Sequence, residues 1–220
     1  MYNQGRLRLY RATLEMTNME KIGSIDQLQI QQNPLKTQLS DKNTVYDPSG
    51  IMVLQEIRLT TFGIVGILDF LNKEMAYLDV HHLRHPQSRF RGDNKISIGF
   101  TGHYQQMRKE FGAHLRDGSA GENIIIKSDH LVSPGELGQR LAIRSRNHDS
   151  LIYLSDIKPI PPCEPFVRYA RDRPASSPRE TQSDLKLLSD GLRGYYAEIE
   201  SAAEEAIVRI GDTVYRADSS

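Results

Sequence analysis

A single thiol is the most reactive group in this sequence. Cys163 is the only cysteine among 220 residues. It follows Lys158-Pro159-Ile160-Pro161-Pro162 and precedes Glu164-Pro165-Phe166. The apolar, strand-like run Leu151 to Ile157 ends in these prolines and presents the thiol behind them. Pro165 suits the first turn of a short helix, where its missing N–H costs nothing. Cys163 would then stand at a helix N-terminus, where the dipole favours thiolate over thiol. A lone cysteine also serves commonly as a small buried hydrophobe. Lys158 and Arg168 flank it in the chain, and the adjacent Glu164 opposes them. A thiolate can ligate a soft metal or accept a sulfane sulfur as a persulfide.

The richest basic stretch runs His81-His82-Leu83-Arg84-His85-Pro86-Gln87-Ser88-Arg89-Phe90-Arg91. Its clustered histidines could suggest a metal site. No acidic or histidine partner follows at a recognisable motif spacing, so a solvated loop is the preferred reading. The sequence has no Gly-x-Ser-x-Gly elbow, no Walker loop and no His-Glu-x-x-His. Nothing competes with Cys163 as a reactive centre.

Composition narrows the class. Lysine plus arginine and aspartate plus glutamate number 28 each, so the formal net charge is zero. That removes the global electrostatic case for nucleic acid as a partner. One cysteine excludes an internal disulfide framework and a cysteine-based zinc site. The N-terminus has no apolar core of signal-peptide length, and the apolar stretch Phe62 to Leu71 is broken by Asp69 and too short for a bilayer. A cytosolic protein with no membrane partner is expected.

The elements that must position the thiol are mostly strands. Short apolar segments separated by Gly, Pro, Asn and Asp have the rhythm of a β-rich fold. Strands are expected at Ile22–Ile30, Ile51–Leu59, Lys95–Phe100, Asn123–Ile126, Leu141–Arg144, Leu151–Asp156, Ile207–Ile210 and Thr213–Arg216. A helix capped by Thr101 would place Tyr104, Met107, Phe111 and Leu115 inward. A second would run from Ser183 to a stop at Gly191. The polar stretch 171–180 has the character of an exposed loop. Residues 197–206 have high helix propensity, but Tyr195–Ile199 and Ile207–Ile210 bracket them like a hairpin, which is the preferred reading. The expected division is an N-terminal extension or leading strand at 1–20, one domain at 21–216 and a tail at 217–220.

Several short signatures occur in a definite order: Gly121-Glu122-Asn123-Ile124, then Gly138-Gln139-Arg140-Leu141-Ala142-Ile143, then Pro162-Cys163, then Gly191-Leu192-Arg193-Gly194-Tyr195-Tyr196, and finally Ile210-Gly211-Asp212-Thr213-Val214. Each is weak alone. Together they resemble the MOSC family, the domain found at the C-terminus of molybdenum cofactor sulfurases and as stand-alone proteins. The resemblance runs from about Lys21 to Arg216 and is clearest from Gly118 onward.

The resemblance implies a mainly β, barrel-like fold with a few peripheral helices that binds molybdenum cofactor (molybdopterin) or carries sulfur for it. Cys163 matches the family's defining cysteine, as persulfide carrier or as molybdenum ligand. Gly121 and Asn123 match an element near the cofactor, and an asparagine amide suits a pterin ring edge; a turn or strand-start asparagine is the alternative. A pterin phosphate needs cations, for which Arg89 and Arg91 are favoured and Arg193 is a further candidate, with a surface hairpin residue as its alternative. The family's Gly-Asp-Arg-His-like stretch is replaced by Gly63-Ile64-Val65-Gly66-Ile67-Leu68-Asp69, and Gly138-Gln139 stands where Gly-Asp is common. No pyridoxal phosphate site is expected in a chain of this length. A separate cysteine desulfurase-like sulfur donor would be needed for sulfur transfer. A molybdenum-dependent reductase of N-hydroxylated compounds would instead need an electron-transfer partner, and a binding module with no catalysis is a third reading.

Overall fold

The computed structural model describes residues 19–40, 43–71, 73–146, 151–173, 177–200 and 206–217. The fold is a β-rich barrel with a few helices packed around it. Its closure depends on one long strand, β1 (Met19–Gln31). The first half of β1 pairs antiparallel with β14 (Thr213–Ala217), from Met19↔Ala217 to Ser24↔Thr213. Its middle pairs with β9 (Ile124–Lys127), and its end pairs with β4 (Ile51–Leu54). From β14 the ring continues through β10 (Leu141–Arg144), β11 (Leu151–Pro159), β12 (Tyr195–Ile199) and β8 (Ile96–Phe100), then returns to β9 and β1. All pairings are antiparallel except β8 with β9. β1 bends through register shifts at Lys21/Gly23 and Ile25/Gln27. Gly23 is required at the first, because a Cβ there would strike the Lys127 carbonyl, and a bulge of this kind turns a strand around a barrel.

A second sheet packs beside the barrel in the order β13 (Ile207–Arg209), β5 (Glu56–Thr60), β6 (Gly63–Phe70) and β7 (Lys73–Leu78). β2 (Lys36–Ser40) and β3 (Asn43–Tyr46) form a separate hairpin. The helices are α1 (Thr101–Phe111), the one-turn α2 (Pro134–Leu137), α3 (Glu164–Arg171) and α4 (Pro178–Leu187). Side chains alternate between two cores, as the period of a strand demands. Ile124 and Ile126 face the barrel interior with Leu28, Ile96, Ile98, Leu141 and Val214. Ile125 faces outward into a second cluster with Tyr104, Met107, Tyr46, Phe166 and Val167. That second cluster supports the site.

Several expectations change. The run 51–59 is two strands, broken at Gln55. The β6–β7 hairpin was not expected; its first strand is the very stretch that departs from the family pattern, and its apolar residues pair between β5 and β7. Thr101 does not cap α1. Its hydroxyl donates to the Ser128 carbonyl and accepts from the Ser128 amide, while Phe100 holds the cap position. The second predicted helix starts earlier, at Pro178, where Ser177 caps it through the Glu180 amide. The stretch 171–180 is therefore only partly a loop: Arg171 pairs with Glu180 and Asp184, and 174–176 lie outside the described residues. β12 and β13 are strands as expected, but they do not form a hairpin. β12 pairs with β8 and β11, and β13 with β5. The connecting residues 201–205 lie outside the described set, as do 1–18 and 218–220.

Candidate functional site

A cavity of about 600 Å³ opens between the β2–β3 hairpin, the loop after β7 and the turn before β12. Its wall carries Lys36, His81, Arg89, Arg91 and Arg193, with Tyr46, Phe90 and Tyr196 as aromatic surfaces and no aspartate or glutamate. Four fixed cations without a carboxylate in the lining create a field suited to an anion. Neither Arg89 nor Arg91 forms a side-chain ion pair among the described residues, so both keep their charge available to a ligand.

The loop that presents these arginines is built on a buried asparagine. Asn94 accepts a hydrogen bond from the Arg91 amide at 2.8 Å and donates to the Arg89 carbonyl at 2.9 Å. The Arg89 amide donates to the Val80 carbonyl at 2.7 Å, and Ser88 ties the loop to the His82 carbonyl at 3.0 Å. The solvated loop expected here is what the structure has, with most of residues 83–91 exposed; His82 is buried beneath it and His81 is held by Asp79. Among the described residues no group of three or more His, Cys, Asp and Glu converges to hold a metal ion.

Arg193 departs furthest from the surface-residue alternative. It is 8% exposed and is positioned by the turn 188–194, in which its amide donates to the Leu188 carbonyl and the Gly194 amide to the Gly191 carbonyl. Its guanidinium donates to the Ala120 carbonyl, stands 3.5 Å from Glu122 and lies over Phe166. Its Nε and Nη1 make no hydrogen bond. Burial opposes its charge, yet Glu122, Tyr46, Tyr104 and Cys163 around it raise its pKa further. For Glu122, burial pushes the carboxyl up, against Arg193 and the Tyr104 hydroxyl, which donates to it at 2.6 Å.

Cys163 is a free, half-buried thiol. As expected from Pro165, it stands at the N-cap of α3 with the proline in the first turn. Its carbonyl accepts from the Val167 amide at 3.1 Å, and its side chain packs on the cluster that holds Tyr46 and Phe166. The cations flanking it in sequence are engaged elsewhere: Lys158 pairs with Asp93 at 3.2 Å, and Arg168 approaches Glu164 and donates to the Thr44 carbonyl. The cation on this side of α3 is Arg193, from the turn before β12, which lies over the ring of Phe166 three residues after Cys163. Tyr46, a cavity residue, packs edge-on against Phe166 in the cluster on which Cys163 rests.

Gly121 lines the cavity. Its carbonyl accepts from the Gln31 amide group at 2.7 Å and its N–H donates to Gly118, so it offers a ligand space rather than polar groups. Asn123 does not meet a ligand. Its Oδ1 accepts from the Ser97 amide and hydroxyl, and its Nδ2 donates to the Gln29 carbonyl and to Asp79. Every polar atom of the amide is used, and the residue is 1% exposed. It braces Ser97, which does line the cavity. The structure therefore brings Arg89, Arg91, Arg193 and Gly121 to one cavity, leaves Cys163 outside its lining but packed on the cluster that includes the cavity residue Tyr46, and puts Asn123 behind the wall. Sequence reasoning missed Lys36 and Asp79, and considered His81 only as one of the clustered histidines. A histidine two residues after an aspartate was the available signal, but nothing in the sequence marks Asp79 as buried.

No family model matches the chain, and no match is found among curated proteins. Among solved structures, the YuaD protein from Bacillus subtilis is similar, with a TM-score of 0.52 at 13% identity over 90% of this chain and 97% of that one. At that identity the likeness concerns the fold.

Proposed function

We propose that this chain handles molybdenum cofactor in the manner of a stand-alone MOSC protein, with Cys163 as a sulfur carrier. The observation that carries the reading is a cavity walled by four cations and no carboxylate, whose buried Arg193 lies over Phe166 in the cluster on which the chain's only thiol packs. A phosphate-bearing pterin is an anion with a flat polar ring, and the lining offers cations for the one and Tyr46, Phe90 and Tyr196 for the other. Arg89 and Arg91 would hold the phosphate, and Lys36 would add charge. When bound, the cofactor supplies a molybdenum centre able to take up sulfur.

The chain's own step is thiol chemistry. The Cys163 thiolate attacks the outer sulfur of a donor persulfide, R–S–SH. The S–S bond of the donor breaks, R–S⁻ leaves with the electron pair and the negative charge, and Cys163–S–SH forms with no net oxidation.

Molybdenum content of wild type and Cys163→Ser, purified from a host that makes the cofactor, tests the reading by elemental mass spectrometry. The expected result is little metal in either protein, with a persulfide on Cys163 after exposure to a persulfide donor. Stoichiometric metal lost in the variant would instead make Cys163 a molybdenum ligand and point to the reductase. No metal and no persulfide would leave a binding module.

A further inference from the structure

We propose that His81 is the acid–base residue of the cavity, taking a proton at Nε2 from an O–H or S–H group of a bound anion while Asp79 fixes its ring. The inference rests on the reading of the cavity as an anion site.

Asp79 is fully buried. Its Oδ2 accepts from the Gln31 amide at 2.8 Å and from Asn123 Nδ2 at 2.9 Å. Its Oδ1 accepts from the His81 amide at 2.7 Å and lies 3.0 Å from His81 Nδ1. Burial alone would raise the Asp79 carboxyl, but His81 and the backbone donors outweigh it and hold the group below the usual carboxylate range. An ionised carboxylate can only accept, so Nδ1 carries the proton and the lone pair of the neutral ring lies on Nε2. His81 lines the cavity, and Nε2 has no partner among the described residues.

This is the arrangement in which a carboxylate sets the tautomer of a histidine and stabilises the imidazolium that forms. The Asn123 amide, spent on Asp79, acquires a role here: it orients the carboxylate that orients the ring. When Nε2 takes the proton, the electron pair stays on the ligand's oxygen or sulfur. The new imidazolium faces Asp79, and the new ligand charge faces Arg89, Arg91 and Lys36. Net charge is unchanged and every charge has a counterpart. The other titratable groups on the wall are Arg193, Tyr46 and Tyr196, none of which supplies a base near neutral pH. His81 is therefore the residue that can exchange a proton with a ligand there.

The experiment is nitrogen-15 NMR of the histidine rings in the full chain, with His81 assigned by its loss in His81→Gln. In the free protein at neutral pH, His81 is expected to have a protonated Nδ1 and a bare Nε2. Addition of inorganic pyrophosphate, which carries a titratable O–H near neutral pH, is expected to protonate Nε2, and Arg89→Ala with Arg91→Ala is expected to abolish that response. A protonated Nε2 in the free protein overturns the proposal. Pyrophosphate that binds through Arg89 and Arg91 while Nε2 stays bare overturns it too, leaving the anion cavity intact. No binding at all removes the cavity reading and this inference with it.

Discussion

Arg193 lies over the ring of Phe166 with its guanidinium carbon 4.8 Å from the ring centroid. This contact joins the turn before β12 to the helix that begins beside Cys163, and it puts a buried cation between the barrel, the cavity and the thiol. The same guanidinium stands 3.5 Å from Glu122, so cavity floor and barrel wall share one charged pair.

Removing one member of that pair leaves the other charged and buried. Arg193→Ala is expected to cost about 3–5 kcal/mol of folding stability, measured by urea denaturation. Adding Glu122→Gln should recover part of the loss by removing the stranded charge. Equal stability of the single and double variants would show that Glu122 is not paired in the fold.

Gly121 has φ of +90°, and a Cβ there would come within 2.7 Å of both Gln31 Nε2 and Leu35 Cδ1. Gly121→Ala is therefore expected to destabilise by about 1–3 kcal/mol, the cost of a side chain in the left-handed region. It should also weaken pyrophosphate binding, because Gln31, Leu35 and Gly121 all line the cavity. Thermal melts and calorimetry read the two effects separately.

The Asn123 side chain makes four hydrogen bonds, joining β1, Ser97 and Asp79. Asn123→Ala strands several buried partners, each costing about 1–3 kcal/mol. A stability loss of at least about 2 kcal/mol is expected in chemical denaturation. A variant as stable as wild type would contradict its structural role.

His103 is buried, with its ring 3.0 Å from the Val132 carbonyl. Burial, opposed by hydrogen bonds to backbone, lowers its pKa from 6.5 to about 4. Between these values the unfolded chain binds a proton that the folded chain does not, so stability is full above pH 6.5 and falls as pH drops toward 4. The contribution is about 3 kcal/mol at most. Stability measured from pH 7 to 4 should fall more steeply in wild type than in His103→Gln, and identical slopes would remove this account.

How much of this was legible from sequence depends on the range of the interaction. The Cys163 environment was readable because proline, cysteine and a following helix act over a few residues. Arg89 and Arg91 were readable because a pair of arginines in a short loop bounded by Gly92-Asp93 is a local signal. Asn123 was misjudged because its residue type suits a ligand and a buried brace equally, and only burial separates them. The β6–β7 hairpin was missed because an apolar run such as Gly63 to Leu68 has no period until its pairing strands are known.

The sequence by itself determined the β-rich class, the single thiol, the helix that starts after it and the cations available to an anion. Tertiary structure alone decided which of those cations is buried against α3 and which histidine lines the cavity. Lys158 and Arg168 are neighbours of Cys163 in the chain, but their charges go to Asp93, Glu164 and the Thr44 carbonyl. Arg193 reaches Phe166, three residues after the thiol, because the fold brings the turn before β12 against α3. Asp79 can direct His81 because closure also buries its carboxylate under β1 and beside Asn123. Both results depend on distance and desolvation, which are set only when remote strands meet.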